Sequence, residues 1–300
     1  MTIGELNEKH GFAGHLEFAE GKGGLTVITV DNQYASATIS LYGAHVLSFQ
    51  PKGEKELLWM SENSFFEAGK PIRGGIPVCF PWFGPHADDS TKPQHGFARL
   101  LEWEVTETAT MENGATLIRL SLHHSVATIP LWPHAFSAVL AIIVGESLDV
   151  KLSVTNSGPV NLEYSDALHT YLNVSDISKI NIDGLGNTSY NNGVTRDLKI
   201  QEEGLLAIDK ETNRRYINHS EDCIISDSGF NRKIRVSKTG SKVTVVWNPG
   251  ADIAKTIPDM ADDGYKTFVC VEAVNLYPDI DLVKLAPGES FSMSTTVDLI

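Results

Sequence analysis

The sequence predicts an all-β protein built as a large antiparallel β-sandwich. Short runs of residues that are apolar at every second position, or apolar throughout, recur from one end of the chain to the other. Turn sequences such as Asn113-Gly114 and Pro287-Gly288 separate these runs, and no long stretch has apolar residues at helical spacing. Because no linker or low-complexity tract divides the chain, we expect one sandwich domain, residues 1–300.

The predicted strands differ in how many of their faces are apolar. Residues 115–122 and 148–154 alternate, which predicts one buried and one exposed face, whereas residues 136–144 are apolar on both faces. One or two helical turns are expected at residues 251–262, which Pro258 interrupts. Further strands are predicted at residues 25–30, 35–40, 242–247, 267–274 and 290–297.

The composition excludes several classes of partner. The chain has 24 Lys+Arg against 38 Asp+Glu, a net charge of −14, and such a surface repels nucleic acid and anionic membranes. No run approaches the roughly 20 apolar residues that span a bilayer, and residues 1–10 lack the apolar core of a signal peptide. Cys79, Cys223 and Cys270 are too widely spaced to indicate a disulfide framework or a zinc ribbon. We therefore expect a cytoplasmic protein that binds neither nucleic acid nor membrane, and nothing in the sequence requires more than a monomer.

Residues 73–84, which read RGGIPVCFPWFG, break the strand pattern. Proline removes ladder donors, and the glycines allow the backbone to approach a neighbour closely, so a regular ladder is not expected here. The aromatic side chains are consistent with a rigid connection that forms a small core of its own. Arg73 at the start of the segment favours the alternative, that the segment lines a binding site.

Residues 94–99 read QHGFAR and combine an amide, an imidazole and a guanidinium, on Gln94, His95 and Arg99. Arginine is the side chain best shaped for bidentate recognition of phosphate or carboxylate. An ordinary solvent-exposed loop is the alternative that this string alone leaves open.

His169 and Glu272 are unusual because each lies in an apolar, strand-like run, residues 167–172 and 268–274. A carboxylate is rarely fully buried without a partner or a role. A satisfied core histidine and a structural ion pair are the alternatives to a function. On facing strands the two side chains could act as general acid and general base, each contributing about 10²–10⁴-fold to the rate.

Several strings taken together resemble one family. Residues 73–84 and 94–99, with HTYL at 169–172, VWNP at 246–249 and VCVEAV at 269–274, are similar to the D-hexose-6-phosphate mutarotases. These are the glucose-6-phosphate 1-epimerases, a branch of the aldose 1-epimerase-like proteins. The RGGIPxxFPWFG and HGFAR strings are specific to this branch, whereas galactose mutarotases bind neutral sugars and lack the pair of arginines.

The resemblance implies a galactose-mutarotase-like β-supersandwich that acts on hexose 6-phosphates. It implies that His169 is the general acid and Glu272 the general base. The sugar ring would open and reclose with no redox change, so neither a metal nor an organic cofactor is expected. The implied substrate-binding residues are Arg73 and Arg99 for the phosphate, and Gln94 and His95 near the sugar.

One position departs from the family pattern. The family usually carries an E-T-D-R-x-Y string whose aspartate contacts sugar hydroxyls, and here residues 211–216 read ETNRRY. Asn213 takes the place of that aspartate. Because an amide both donates and accepts hydrogen bonds, we expect Asn213 to bind the sugar.

Three other functions are weighed against hexose-6-phosphate mutarotation. A neutral-sugar aldose 1-epimerase would not need the two arginine strings. A non-catalytic sugar-phosphate binding protein would not need His169 and Glu272 together. A structural module of a larger glycosidase would give no reason to place Glu272 in an apolar strand. The presence of all these residues favours the mutarotase.

Overall fold

A computed structural model describes residues 1–276 and 282–300 of the chain, and within them strands predominate. The α-helices are α1 (Ile3–His10) and α2 (Gly250–Ala254), and 3₁₀ turns lie at Lys22–Gly24, Ala98–Leu100, Ile177–Lys179 and Gly264–Thr267. The strands are β1 (Leu16–Glu20), β2 (Thr26–Asp31), β3 (Ala35–Ser40), β4 (His45–Pro51), β5 (Val78–Cys79), β6 (Glu104–Thr110), β7 (Thr116–His123), β8 (Phe136–Val144), β9 (Leu148–Asn156), β10 (Leu162–Tyr164), β11 (Asp166–Leu168), β12 (Tyr171–Asn173), β13 (Ile180–Asp183), β14 (Ser189–Asn192), β15 (Leu198–Ile200), β16 (Thr212–Ile217), β17 (Cys223–Asp227), β18 (Arg232–Thr239), β19 (Val243–Asn248), β20 (Phe268–Asn275), β21 (Val283–Leu285) and β22 (Ser290–Leu299).

Every pairing between these described strands is antiparallel. One eight-stranded sheet, called here the site sheet, has the order β15-β14-β16-β19-β20-β11-β5, with β12 also paired to β20. The second eight-stranded sheet, the back sheet, has the order β13-β17-β18-β22-β9-β8-β7-β6. A four-stranded sheet, β1-β2-β3-β4, and the pair β10-β21 complete the pattern. The predicted all-β antiparallel sandwich is confirmed.

The two faces of β20 have different environments. Val269, Val271 and Ala273 belong to the large apolar cluster that also holds residues of β18 and β22 in the back sheet. Side chains alternate along a strand, so Cys270 and Glu272 lie on the opposite face of the site sheet. Because of this alternation, one face of β20 packs in the core and the other face lines a cavity.

The predicted strands are confirmed, with bounds that shift by one or two residues at an end. Residues 35–40 and 136–144 match β3 and β8 at both ends. The predicted helical turns at 251–262 correspond to the short helix α2, which is followed by turns. Within residues 73–84 only Val78–Cys79 joins a ladder, with β11, in keeping with the irregular segment that was predicted.

No helix in the described part of the chain has both the length and the apolar character needed to cross a membrane. The single domain over residues 1–300, the monomeric state and the cytoplasmic location stay predictions.

Candidate active site

A cavity of about 700 Å³ opens on the face of the site sheet that carries Glu272. Its walls come from β16, β19 and β20 and from the loop residues 81–88. The seven site residues predicted from the sequence all line it: Arg73, Gln94, His95, Arg99, His169, Asn213 and Glu272. The structure therefore brings these residues together, and their roles stay predictions.

Glu272 lies in the middle of β20 with 1 % of its surface exposed. Burial raises its pKa well above the ordinary value, and the positive charge of Arg215 acts in the opposite direction. Its Oε2 atom has no hydrogen-bond partner among the described residues. This oxygen is therefore available to a proton on a molecule in the cavity.

The strand-like run predicted at residues 167–172 is strand on both sides of His169, but His169 itself does not lie within a strand. It occupies the break between β11 and β12. The Thr170 N–H turns back to donate to the Leu168 carbonyl at 3.0 Å, and the His169 N–H donates to the Pro77 carbonyl at 3.1 Å. These local bonds replace regular ladder bonds at the one position where the imidazole enters the cavity.

The imidazole of His169 is held in a fixed plane by aromatic neighbours. It stacks on Tyr171 with 4.7 Å between ring centroids and 8° between planes, and Trp247 meets it edge-on at 5.9 Å. In this orientation its Nδ1 atom lies 3.4 Å from Oε1 of Glu272. The two predicted catalytic groups are therefore neighbours.

The surroundings shift the pKa values of His169 and Glu272 in opposite directions. Burial lowers the pKa of His169 well below its ordinary value, and the nearby groups His95, Arg99 and Arg73 act in the same direction. Burial of Glu272 thus favours a neutral carboxyl beside a neutral ring, whereas mutual attraction favours a carboxylate beside an imidazolium. Both arrangements contain the same proton, so the pair can offer an acid and a base to one substrate.

Arg73 is fixed at the cavity wall by two polar partners. Its Nε and Nη2 atoms lie 3.2 and 3.1 Å from Oδ1 of Asp259, and Nη1 donates to the Tyr171 hydroxyl at 3.3 Å. Burial opposes the charge, but Tyr171 and Asp259 outweigh it and raise the pKa of Arg73. Gly75 lets this loop run against β4, because its φ is +61° and a Cβ there would lie 2.2 Å from the Val46 carbonyl oxygen.

Arg99 has fewer partners than Arg73. Its Nη2 atom donates to the Gln94 backbone carbonyl at 2.7 Å, but its buried Nε atom has no partner among the described residues. Burial lowers the pKa of Arg99, and the like charge of Arg73 acts in the same direction. A dianion bound between two such guanidinium groups would stabilise both.

His95 joins the two loop segments that carry the arginines. The backbone N–H of His95 donates to the Gly84 carbonyl at 2.7 Å, and the backbone N–H of Gly84 donates to the ring atom Nδ1 of His95 at 3.1 Å. Burial lowers the pKa of His95 to about 3, and the cavity arginines act in the same direction. The ring is therefore neutral, with its proton on Nε2 as a donor for a sugar oxygen.

Asn213 lies on β16 opposite Trp247 of β19, which places it on the cavity face. Its backbone carbonyl accepts from the Gly193 N–H at 2.7 Å. Within residues 1–276 and 282–300 its side-chain amide makes no hydrogen bond. Both its donor and its acceptor are therefore available to a ligand.

Sequence reasoning missed several residues that shape the site. Arg215 follows Asn213 by two positions on a strand, so strand alternation could have placed it on the same face. Asp259 is 186 positions from the arginine that it holds, and no local pattern predicts that contact. The unpredicted residues of the site are Phe83, Tyr171, Arg215, Trp247 and Asp259.

His169, Cys270 and Glu272 are of types that bind metals, and their ligand atoms lie within 4.8 Å of one another. A cysteine binds a metal as the thiolate. Burial raises the pKa of Cys270 well above its ordinary value, and Glu272 adds to that effect. Acid–base chemistry by His169 and Glu272, in which the thiol takes no part, is the interpretation that the sequence predicts for the cluster.

Comparison with known proteins gives a consistent family. The family described as aldose 1-epimerase matches residues 26–298. A protein of Escherichia coli K12 is 39 % identical over 248 residues, which cover 83 % of this chain and 82 % of that protein. A protein of Cenchrus ciliaris is 33 % identical over 264 residues, 85 % of this chain and 78 % of that protein. Both are named as candidate glucose-6-phosphate 1-epimerases.

Solved structures agree with the fold. A candidate mutarotase from Salmonella typhimurium superimposes with a TM-score of 0.89 at 33 % identity, covering 97 % of this chain and 95 % of that one. A galactose mutarotase-like protein from Lactobacillus casei has a TM-score of 0.73 at 18 % identity, over 91 % of this chain and 100 % of that one, and shows the fold alone. The expected galactose-mutarotase-like sandwich is confirmed.

Proposed function

Because the chain belongs to the aldose 1-epimerase family, we propose that it interconverts the α and β anomers of hexose 6-phosphates. Among these sugars, glucose 6-phosphate is the substrate that we propose. Family membership makes the chain an isomerase, as the sequence predicted. The observation that supports the phosphate is the presence of Arg73 and Arg99 in one cavity with His169 and Glu272. A neutral sugar would leave Arg99, which has no carboxylate partner among the described residues, without a counter-charge.

Anomer exchange requires one proton to be removed and one to be delivered. Ionised Glu272 takes the proton of the anomeric hydroxyl while protonated His169 gives its proton to the ring oxygen, and the C1–O5 bond breaks to give the aldehyde. Rotation about C1–C2 presents the other face of the carbonyl. O5 then attacks C1, His169 takes back the hydroxyl proton from O5, and Glu272 returns its proton to O1. The pair ends in the state in which it began, so no proton is consumed.

The phosphate would anchor the substrate while C1 rotates. A phosphate monoester carries about −1.5 to −2 charge near neutral pH. A protein of net charge −14 repels it unless local positive charge dominates. Arg73 and Arg99 supply that charge. They outweigh the surface acids, because exposed charges beyond roughly 8–10 Å are screened by salt. Their contacts hold the reacting end near the acid–base pair.

The sugar hydroxyls need donors and acceptors between the phosphate and the reacting carbon. The neutral ring of His95 and the amide of Asn213 supply them inside the cavity, and Gln94 supplies an amide at its exposed rim. These residues orient the ring without adding net charge.

Magnetisation-exchange NMR of the two anomers tests this function directly. Catalytic amounts of the protein should accelerate exchange between the α and β resonances of glucose 6-phosphate above the protein-free rate. The same measurement on glucose should show a much smaller acceleration. Equal acceleration of both sugars would indicate a neutral-sugar epimerase, and binding without acceleration would indicate a non-catalytic sugar-phosphate binding protein.

A further inference from the structure

A third arginine, Arg215, lines the cavity but has no part in the reaction as written above. In the register of the site sheet, Arg215 on β16 pairs with Val245 on β19, and Val245 pairs with Glu272 on β20. Directly paired residues place their side chains on the same face of a sheet. Two strand spacings put the Cα atoms of Arg215 and Glu272 about 10 Å apart, a gap that two long side chains can largely close.

The guanidinium of Arg215 is not engaged elsewhere. Within the described ranges 1–276 and 282–300, it makes neither a hydrogen bond nor an ion pair. Its neighbour Arg214 points to the other face, where it donates to Gln201 at 2.6 Å and lies over the Tyr190 ring at 4.9 Å. Arg215 is therefore a charge that the fold places in the cavity without a structural partner.

Among the described residues, several groups packed around Glu272 are neutral and cannot offset its charge. Tyr171 on β12, Cys270 on its own strand and Cys79 on β5 are neutral groups whose burial raises their pKa values. Arg73 and Arg99 lie on the β12 and β5 side of β20, where Arg73 is held by Tyr171 and Asp259. Arg215 approaches from the opposite side, across β19.

We propose, on the basis of the anomer exchange proposed above, that Arg215 is a positioning residue that holds Glu272 in the ionised form needed to remove the anomeric proton. The role of Arg215 then differs from that of Arg73 and Arg99. Arg73 and Arg99 bind the substrate dianion, and Arg215 stabilises the base at the reacting end. The directions of the electrostatic effects agree with this, because Arg215 is the charge that acts against burial at Glu272.

The pH dependence of kcat/KM for glucose 6-phosphate tests the proposal. A nearby cation lowers the pKa of a carboxyl group, so its removal raises that pKa and reduces the ionised fraction at acid pH. In Arg215→Gln the acid limb of the profile should move to higher pH by about one unit, which is about a tenfold loss of rate on that limb. Arg215→Lys should stay close to the wild type. Arg214→Gln, the matched control on the other face, should leave the acid limb in place.

A second measurement needs no activity. The protonated carboxyl band of Glu272 is identified by infrared spectroscopy as the band that Glu272→Gln removes, and its titration midpoint is compared in the wild type and Arg215→Gln. Arg215→Met, which keeps an apolar stem, is measured alongside in case the Gln variant folds poorly. A higher midpoint in either variant supports the inference, and an unchanged midpoint overturns it. Failure of the wild type to accelerate anomer exchange would instead overturn the proposed function. The infrared titration would still show whether Arg215 lowers the pKa of Glu272.

Discussion

Glu272 and His169 meet where neither charge is favoured by its surroundings. The Glu272 side chain is 1 % exposed and the His169 side chain 10 % exposed, so both are largely removed from water. Burial raises the pKa of the first and lowers that of the second, so the surroundings disfavour the charged form of each group. Titratable groups whose environments shift their pKa values in opposite directions are the pattern expected of an acid–base pair.

Glu272→Gln keeps the shape of the side chain and removes the base. We expect the exchange rate of glucose 6-phosphate anomers to fall by about 10²–10⁴-fold, because an amide does not accept the proton. Folding stability should not fall, because a neutral amide replaces a buried carboxyl whose Oε2 atom has no partner among the described residues. NMR exchange rates and thermal unfolding check both expectations.

The stability of this variant relative to the wild type should also depend on pH. The pKa of Glu272 is higher in the folded state than in the unfolded chain, so its contribution to stability is complete below the unfolded value and is lost as the pH rises through the folded value. The advantage of Glu272→Gln therefore grows with pH. Glu163→Gln is the matched control, because Glu163 lines the same cavity but is exposed and pairs with Lys284 at 3.0 Å. Wild-type exchange in Glu272→Gln would remove this carboxylate from the mechanism.

Which site residues could be predicted follows from how each one is positioned. Glu272 and Arg73 stand out locally, one as an acid in an apolar strand and the other at the start of an irregular segment. Asp259 gives no such signal, since an acid after a short helix is ordinary until the fold brings it to Arg73. Tyr171 likewise reads as a core aromatic, and only the structure shows its ring stacked on His169.

At the scale of elements, the two arginine-bearing loops are held by close backbone contact. The N–H groups of Phe97 and Ala98 donate to the Phe80 carbonyl at 3.0 and 3.1 Å. This contact requires Gly96, whose φ is +73° and whose Cβ, if present, would lie 2.0 Å from that carbonyl oxygen. The glycine in the QHGFAR string therefore allows the two loops to pack directly against each other.

Gly96→Ala should separate the two loops. We expect it to lower the free energy of unfolding by more than about 2 kcal/mol, because the new methyl group meets backbone that cannot give way. The KM for glucose 6-phosphate should rise as well, since Arg99 and His95 flank the glycine. Urea unfolding and steady-state exchange rates measure the two effects.

Gly53→Ala provides the matched control for that substitution. Gly53 also has a positive φ, +80°, but a Cβ there would meet no atom within 4 Å. Only the backbone penalty of about 1 kcal/mol is expected. Equal losses in the two variants would show that backbone conformation alone, without the close approach, makes Gly96 necessary.

The elements themselves were predictable to different degrees. The apolar run predicted as a strand at residues 267–274 located β20 to within one residue, and the ladder of β20 with β19 has no irregularity. Helix α1 was missed although Thr2 and Glu5 form a capping box, in which the Glu5 N–H donates to Thr2 Oγ1 at 3.3 Å. The break between β11 and β12 could not be predicted, because its cause is the local backbone bonding of Thr170, and an apolar run does not reveal it.

At the scale of the whole molecule, the net charge of −14 and the cavity arginines act on the substrate in opposite directions. The acidic surface repels a sugar phosphate, and the arginines attract it once it reaches the cavity. Arg99→Ala should therefore raise the KM for glucose 6-phosphate by about 10–100-fold, the value of a lost hydrogen bond to a charged group of about 1.5–3 kcal/mol. The KM for glucose should change little. The control is Arg235→Gln, because Arg235 is a half-buried arginine that pairs with Asp298 in the back sheet, away from the cavity.

Similar losses on both sugars in Arg99→Ala would contradict the phosphate role. An unchanged KM for glucose 6-phosphate in that variant would do so as well. Both outcomes can be read from the same NMR titrations, in which the substrate is varied at fixed protein concentration.

The arginines should influence turnover as well as binding. Burial lowers the pKa of His169, and the charges of Arg99 and Arg73 lower it further. A dianion bound to those arginines offsets their charge, so the pKa of His169 rises and more of the general acid is protonated. Glucose and free phosphite together stand for the sugar and the phosphate of glucose 6-phosphate. Added phosphite should therefore accelerate the exchange of glucose anomers by the wild type. The acceleration should be absent in Arg99→Ala. Phosphite that binds without accelerating the exchange would show that the phosphate contributes anchoring alone.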